Sequence, residues 1–394
     1  MPLVKSLRKL LGIVLVLLAV GCAPVAGTPT SVLSLPPPTP TTSSPQNTPA
    51  AIVIRIIGQS PSADTAGLYS LAFSPDGNTL VSASNANDGL NIALWNVATS
   101  QPIDMYKEQG HFGAGMALSP DGKMLAYGWC GGRDPNNSVC VQYEITLWDV
   151  ATRQPIGQPL KFSIGGATTP EELFSPDGKT LAVMSSGTTG SGIIQLFDVT
   201  TRQPTNSPLG GEEQFASMAF SPDGKFMALG NIVGVIYIWD VKSHQVFSHL
   251  MGEKGFVTSV AFSPDGKTLV SRILIPSTDL PPKGKIVLWD LNTQQPIGQP
   301  LIAHTATGSE VGLTNMALSP DGKTLASIDD NGAIALWDVT TRQPIGQAFI
   351  GQSATGGVGV TISVAFSPDG RTLVSGTEDG TITLWELAAS FHSP

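Results

Sequence analysis

The chain has 394 residues, a formal net charge of −9, only 13% charged residues, and 43 glycines and 31 prolines. Sparse charge with abundant turn formers points to many short strands, and an acidic surface repels phosphate backbones, which argues against a nucleic-acid partner. Three cysteines are too few for a cysteine-rich scaffold, so their positions matter more than their number.

Residues 1–21 carry the pattern of an export signal. Lys5, Arg8 and Lys9 form a positive start, and residues 10–20 an apolar run too short to span a bilayer comfortably. The run ends Leu18-Ala19-Val20-Gly21-Cys22. Small residues just before a cysteine resemble the lipobox of bacterial lipoproteins, with Ala19 where that family more often has leucine. The resemblance implies lipidation at Cys22 and a membrane-anchored protein of the cell envelope, facing the periplasm or exterior. The alternative is an ordinary cleaved signal. Residues 22–50 are rich in proline, threonine and serine and carry no charge. Such a segment buries too little apolar surface to offset its ordering entropy and is expected to be a disordered tether.

From residue 51 to 394 the chain is organised by one tetrapeptide. Ser-Pro-Asp-Gly recurs seven times, starting at Ser74, Ser119, Ser175, Ser221, Ser263, Ser319 and Ser367. Proline pre-sets the first corner, aspartate bonds back to the backbone, and glycine takes the left-handed exit. Each copy sits between two short apolar runs, so the unit is strand, turn, strand, recurring every forty to fifty-five residues or so. A third run in each unit ends in an aromatic followed by Asp, Asn or Glu, with the aromatics Trp95, Trp148, Phe197, Trp239, Trp289, Trp337 and Trp385.

These recurring turns and Leu-Trp-Asp ends resemble the WD-repeat family over about residues 52–387. The resemblance implies an all-β, seven-bladed β-propeller of four-stranded antiparallel blades. The seven aromatics are then structural, buried between blades. A fourth run follows six of the seven third runs, with prolines suited to an outer edge. The seventh repeat lacks its fourth strand, and Ile52-Val53-Ile54-Arg55-Ile56-Ile57 stands unpaired at the other end of the array. That N-terminal strand is expected to lie beside the 382–387 run and close the last blade. WD repeats often carry a His, Ser/Thr, Trp and Asp tetrad. Ser375, Asp379 and Trp385 match it, but Gln352 stands where the histidine belongs, and no repeat holds all four.

Loop lengths then separate two faces. Connections from first to second and from third to fourth strands are short and uniform. The other two kinds vary, with long stretches at 128–142, 163–172, 272–285, 303–313 and 351–360 and a glycine-rich one at 185–192. Binding residues concentrate on variable loops held by a rigid frame. Trp129, Arg133, Arg272, Asp279 and Glu310 are therefore the candidate partner-binding residues, although a tryptophan beside a strand end also packs inward. Cys130 and Cys140 flank one such loop. In an exported protein a disulfide is the economical reading, with free thiols the alternative.

The familiar catalytic motifs are missing. Histidines are scattered, and among the innermost strands only Glu171 and Glu172 bring charge. No metal site, cofactor or catalysis is expected. The sequence reads as a monomeric scaffold that binds an unknown protein or peptide. The alternatives are a hydrolase or lactonase-like propeller with an axial metal, and a module binding glycan or cell-wall polymer.

Overall fold

A computed structural model describes residues 53–59, 65–86, 89–109, 113–133, 140–163, 171–186, 192–205, 209–210, 214–275, 283–302, 313–329, 331–350 and 360–387. The lipobox, Cys22 and the tether lie outside the described residues.

Among the described residues every regular element is a strand, and the strands form seven antiparallel sheets. Blade 4 shows the plan: Phe215–Phe220 inside, then Phe226–Asn231, Val235–Asp240 and Gln245–Met251 at the rim. The innermost strands of the other blades are Thr65–Phe73, Gly113–Leu118, Glu171–Phe174, Phe256–Phe262, Leu313–Leu318 and Thr361–Phe366. In blades 2 and 5 the outer strand is broken in two, Gln154–Pro155 with Leu160–Ser163 and Gln295–Pro296 with Leu301–Ile302. Proline withholds a ladder donor, so these residues suit only a rim position.

The ring closes as the spare strand required. Val53–Gln59 runs antiparallel to Thr381–Glu386, with Val53 opposite Glu386 and a register shift between Ile56 and Gly58. The last blade therefore combines the N-terminal strand with three C-terminal ones. Its partner in the ring is blade 1. Leu68 and Leu71 of blade 1 pack with Val374, Ile382 and Leu384 of blade 7 in one buried cluster. Gly376 is required at that contact, since a Cβ there would lie 2.3 Å from Leu68 Cδ2. Six further clusters join each remaining pair of consecutive blades.

The Ser-Pro-Asp-Gly turns are built alike. Each serine hydroxyl donates to the aspartate carboxylate at 2.5–2.7 Å. The same hydroxyl accepts the amide five residues on at 2.9 Å. The glycines sit at φ 67° to 71°, the left-handed region. These bonds hold the carboxyls of Asp76 and Asp223 down at about 2, the serine hydroxyl being the largest cause. The acid after each third-strand aromatic is a turn former too. Asp149, Asp198, Asp240 and Asp338 accept the amide three residues on at 2.6–2.7 Å.

Arginines in the third-to-fourth-strand turns tie neighbouring blades at the rim. Arg202 and Arg342 donate to the carbonyls of Ile156 and Ile297 in the preceding blade, each at 3.1 Å. Arg153 pairs with Asp104 of blade 1 at 3.1 Å.

Candidate functional site

Antiparallel alternation puts the Ser-Pro-Asp-Gly turns and the third-to-fourth-strand turns on one face of the ring. Connections from second to third strand, and from blade to blade, emerge on the other. On that second face blades 4 and 6 have tight, capped turns. The Asn231 side chain accepts the amides of Val233 and Val235, at 3.1 and 2.8 Å. Asp329 does the same for Asn331 and Ala333, at 2.9 and 2.8 Å. In blade 2 the two strands instead run far past the core, as Met124–Arg133 and Cys140–Asp149. The disulfide joins Cys130 and Cys140 there, with Cα atoms 5.8 Å apart.

Of the five candidate binding residues, two are described with their side chains, and both lie in strands rather than loops. Trp129 pairs with Glu144 across the hairpin, is 6% exposed, and stacks toward Tyr127 with ring centroids 6.2 Å apart. Arg272 sits between Ser259 and Ile286 in its sheet and is 8% exposed. The strands extend five residues beyond Gly128 and three beyond Arg272, because the chain keeps pairing where its sequence stops looking repetitive. Arg133 stands opposite Cys140 at the end of the ladder, with its side chain outside the described residues. Asp279 and Glu310 are also outside them.

The aromatics are where the repeat places them. Trp95, Trp148, Phe197, Trp289, Trp337 and Trp385 are buried, and Trp239 is partly buried. In four blades the indole N–H donates to a second-strand serine: Trp95 to Ser82, Trp289 to Ser271 and Trp385 to Ser375 at 2.8 Å, and Trp337 to Ser327 at 2.9 Å. Where the serine is replaced by Tyr127 or Leu229, the Nε1 atoms of Trp148 and Trp239 have no partner among the described residues. Blade 3 has Val183 at the serine's position and Phe197 at the tryptophan's, so no such bond is needed. Asp379 serves its own turn, accepting from the Thr377 hydroxyl at 2.5 Å and the Thr381 amide at 3.1 Å.

The inner wall of the ring holds the most perturbed acids. Burial pushes the Glu171 carboxyl up to about 7 and holds that of Glu172 well above the usual carboxylate range, with the neighbouring Glu171 charge adding to it. Glu171 is nonetheless reached by water. The charge on Glu172 also raises the Tyr69 phenol, after burial itself. Among the described residues no group of three or more His, Cys, Asp and Glu side chains is arranged to hold a metal ion.

Two rim features were not legible as sites. A cavity of about 670 Å³ opens between blades 5 and 6, lined by Pro300, Leu301, Leu336, Trp337 and Arg342. It exists because the outer strand of blade 6 is reduced to Phe349–Ile350 and one bridge at Pro344. On blade 4, Phe247 and Met251 are 66% and 70% exposed on an unbroken outer strand.

Residues 57–95, 298–338 and 349–386 match the WD domain, G-beta repeat model. Residues 171–297 match the model of eukaryotic translation initiation factor eIF2A. No curated protein matches the chain. Each WD-matching stretch ends in a blade whose tryptophan is bonded to the second-strand serine, at Trp95, Trp337 and Trp385. The eIF2A-matching stretch spans blades 3 to 5, including the two blades whose second strands carry Val183 and Leu229 in place of that serine. The chain is a seven-bladed β-propeller with segments similar to WD40 repeats.

Proposed function

We propose that this propeller is a non-catalytic scaffold that binds a protein or peptide through its loop-bearing face, held at the cell envelope by a lipid on Cys22. The observation that carries the reading is the segregation of length. The seven Ser-Pro-Asp-Gly turns share one hydrogen-bond plan, while the connections from second to third strand and from blade to blade differ widely in length along the sequence. A rigid frame presenting variable loops on one side is the arrangement that recognition surfaces use. WD40 propellers generally bind other proteins, which supports the same reading for a chain with WD40-like segments. Arg133, Asp279 and Glu310 are the residues assigned to contact; Trp129 and Arg272 support the loops from within the sheets.

In-cell crosslinking followed by mass spectrometry tests the binding. Alanine at Arg133, Asp279 and Glu310 together is expected to reduce a discrete adduct by tenfold or more, the effect of losing about 1.4 kcal/mol or more. An undiminished adduct rejects the assignment. The anchor is tested separately, since a Cys22→Ser chain is expected to leave the membrane fraction. A chain that stays there without Cys22 is held by something else.

A further inference from the structure

Among the described residues the outer strand of blade 4 is built unlike the other six. It runs unbroken from Gln245 to Met251 and holds no proline, acid, lysine or arginine. Elsewhere the rim is blunted by devices that keep a sheet edge from pairing with another chain. In blade 1 the strand Gln101–Gln109 carries Pro102, Asp104, Lys107 and Glu108. In blades 2 and 5 the strand is broken at its prolines. Blades 3 and 6 keep Leu209–Gly210 and Phe349–Ile350 with one isolated bridge each. In blade 7 the strand Val53–Gln59 carries Arg55 and a register shift. The ladder of blade 4 shows which backbone groups are spare. Gly252 donates to the Gly234 carbonyl at 3.2 Å, and pairing continues with Leu250 on Ile236 and Ser248 on Ile238. Bonded residues alternate along an antiparallel strand, so the amides and carbonyls of His249 and Met251 turn away from the blade. The register shift of this strand falls at Phe247 and leaves Ser248–Met251 regular. Apolar side chains flank the spare groups in water: Val246 is 45%, Phe247 66% and Met251 70% exposed.

We propose that this strand is a self-association site, at which two copies of the chain pair edge to edge and antiparallel, joining two blades into one eight-stranded sheet about a twofold axis. A free edge is completed by another free edge, and a second copy brings the same one. Charge favours that occupant. The chain carries a net charge of −9, so two copies repel over much of their surface, yet here they meet along strands without an acid. Self-pairing sets like beside like, which costs a neutral strand nothing and which Asp104, Lys107 and Glu108 of blade 1 would resist. The antiparallel sense also brings Lys242, ahead of one strand, toward Glu253, past the end of the other. The Glu253 side chain is 57% exposed, with Lys285 as its partner at 2.8 Å and Lys254 next in the chain. With one such edge per ring, association closes at a pair and does not run on into a fibre. The strand lies on the rim, so loss of this site leaves the loop-face reading untouched.

Full-length protein is followed by sedimentation velocity over a concentration series that brackets the micromolar range, with hydrogen exchange recorded at both ends of it. A reversible monomer–dimer equilibrium with a micromolar Kd is expected. Amides of residues 247–251 should exchange more slowly at the high end, while those of Gln101–Gln109 on blade 1 keep one rate throughout. The double change Phe247→Lys and Met251→Lys alters two mostly exposed side chains and sets like charges against one another across the twofold axis. It should weaken pairing about tenfold or more, with little change in melting temperature. If that variant fails to fold, the exchange of the wild-type protein decides alone. Wild-type protein that sediments as a monomer throughout the series, a dimer that leaves residues 247–251 unprotected, or a dimer that survives both lysines overturns the proposal.

Discussion

The bond between third-strand tryptophan and second-strand serine measures how much one residue contributes to a blade. Trp385 is fully buried and its N–H is held by Ser375 at 2.8 Å. Ser375→Ala leaves that donor unpaired, at a cost of about 1–3 kcal/mol. Chemical denaturation should find the loss near the lower end, because Trp148 and Trp239 tolerate the same deficit. No change in the midpoint would mean the serine is ornamental. Charge at the residue scale predicts a pH optimum. Asp76 and Asp223 are lowered from 3.8 to about 2, so their contribution is present above 3.8 and fades as pH falls through 2. Glu171 is raised from 4.5 to about 7, and Glu172 shifts the same way, so their contribution is full below 4.5 and fades as pH rises through 7. The melting temperature should therefore peak between those windows, and Glu172→Leu should flatten the fall on the alkaline side. A melting temperature that rises steadily from pH 5 to 8 contradicts this assignment. The turn aspartates were legible because four-residue chemistry fixes them. Trp129 and Arg272 were not, since burial depends on how far two strands keep pairing, which no local motif records.

At the scale of the element, the N-terminal strand carries the most weight per residue. Among the described residues Val53–Gln59 is the only partner of Thr381–Glu386 on its outer side. Deleting residues 51–58 leaves that edge open and removes the hydrogen-bonded ladder that joins the two ends of the propeller segment. Cooperative unfolding is expected to vanish, and an unchanged melting curve would show the bracket to be dispensable. The strand was readable by counting, because six fourth strands for seven blades leave one vacancy. Its bounds were less so: pairing continues past Ile57 through a register shift to Gln59. The sequence reads one continuous outer run in blades 2 and 5, but the strand is broken there because Pro155, Pro159, Pro296 and Pro300 lack the amides that sustain a ladder. The arginine ties between blades leave no local pattern in the sequence, since only the fold brings Arg202 beside Ile156 and Arg342 beside Ile297.

For the whole molecule, seven inter-blade clusters and a shared last blade make one closed ring, and the ring sorts its connections onto two unlike faces. Blade number and closure follow from repeated turns, so the sequence carries them openly. Recognition does not repeat, so it has no motif. The direct test of the account compares the two faces in living cells. A photoreactive residue is placed at Asn136, Asp279 or Glu310 on the loop connections, and at Asn78, Lys123 or Lys267 beside the Ser-Pro-Asp-Gly turns. Discrete protein adducts are expected from the first set and none from the second. Adducts of equal yield from the turn face, or none from either, would contradict it.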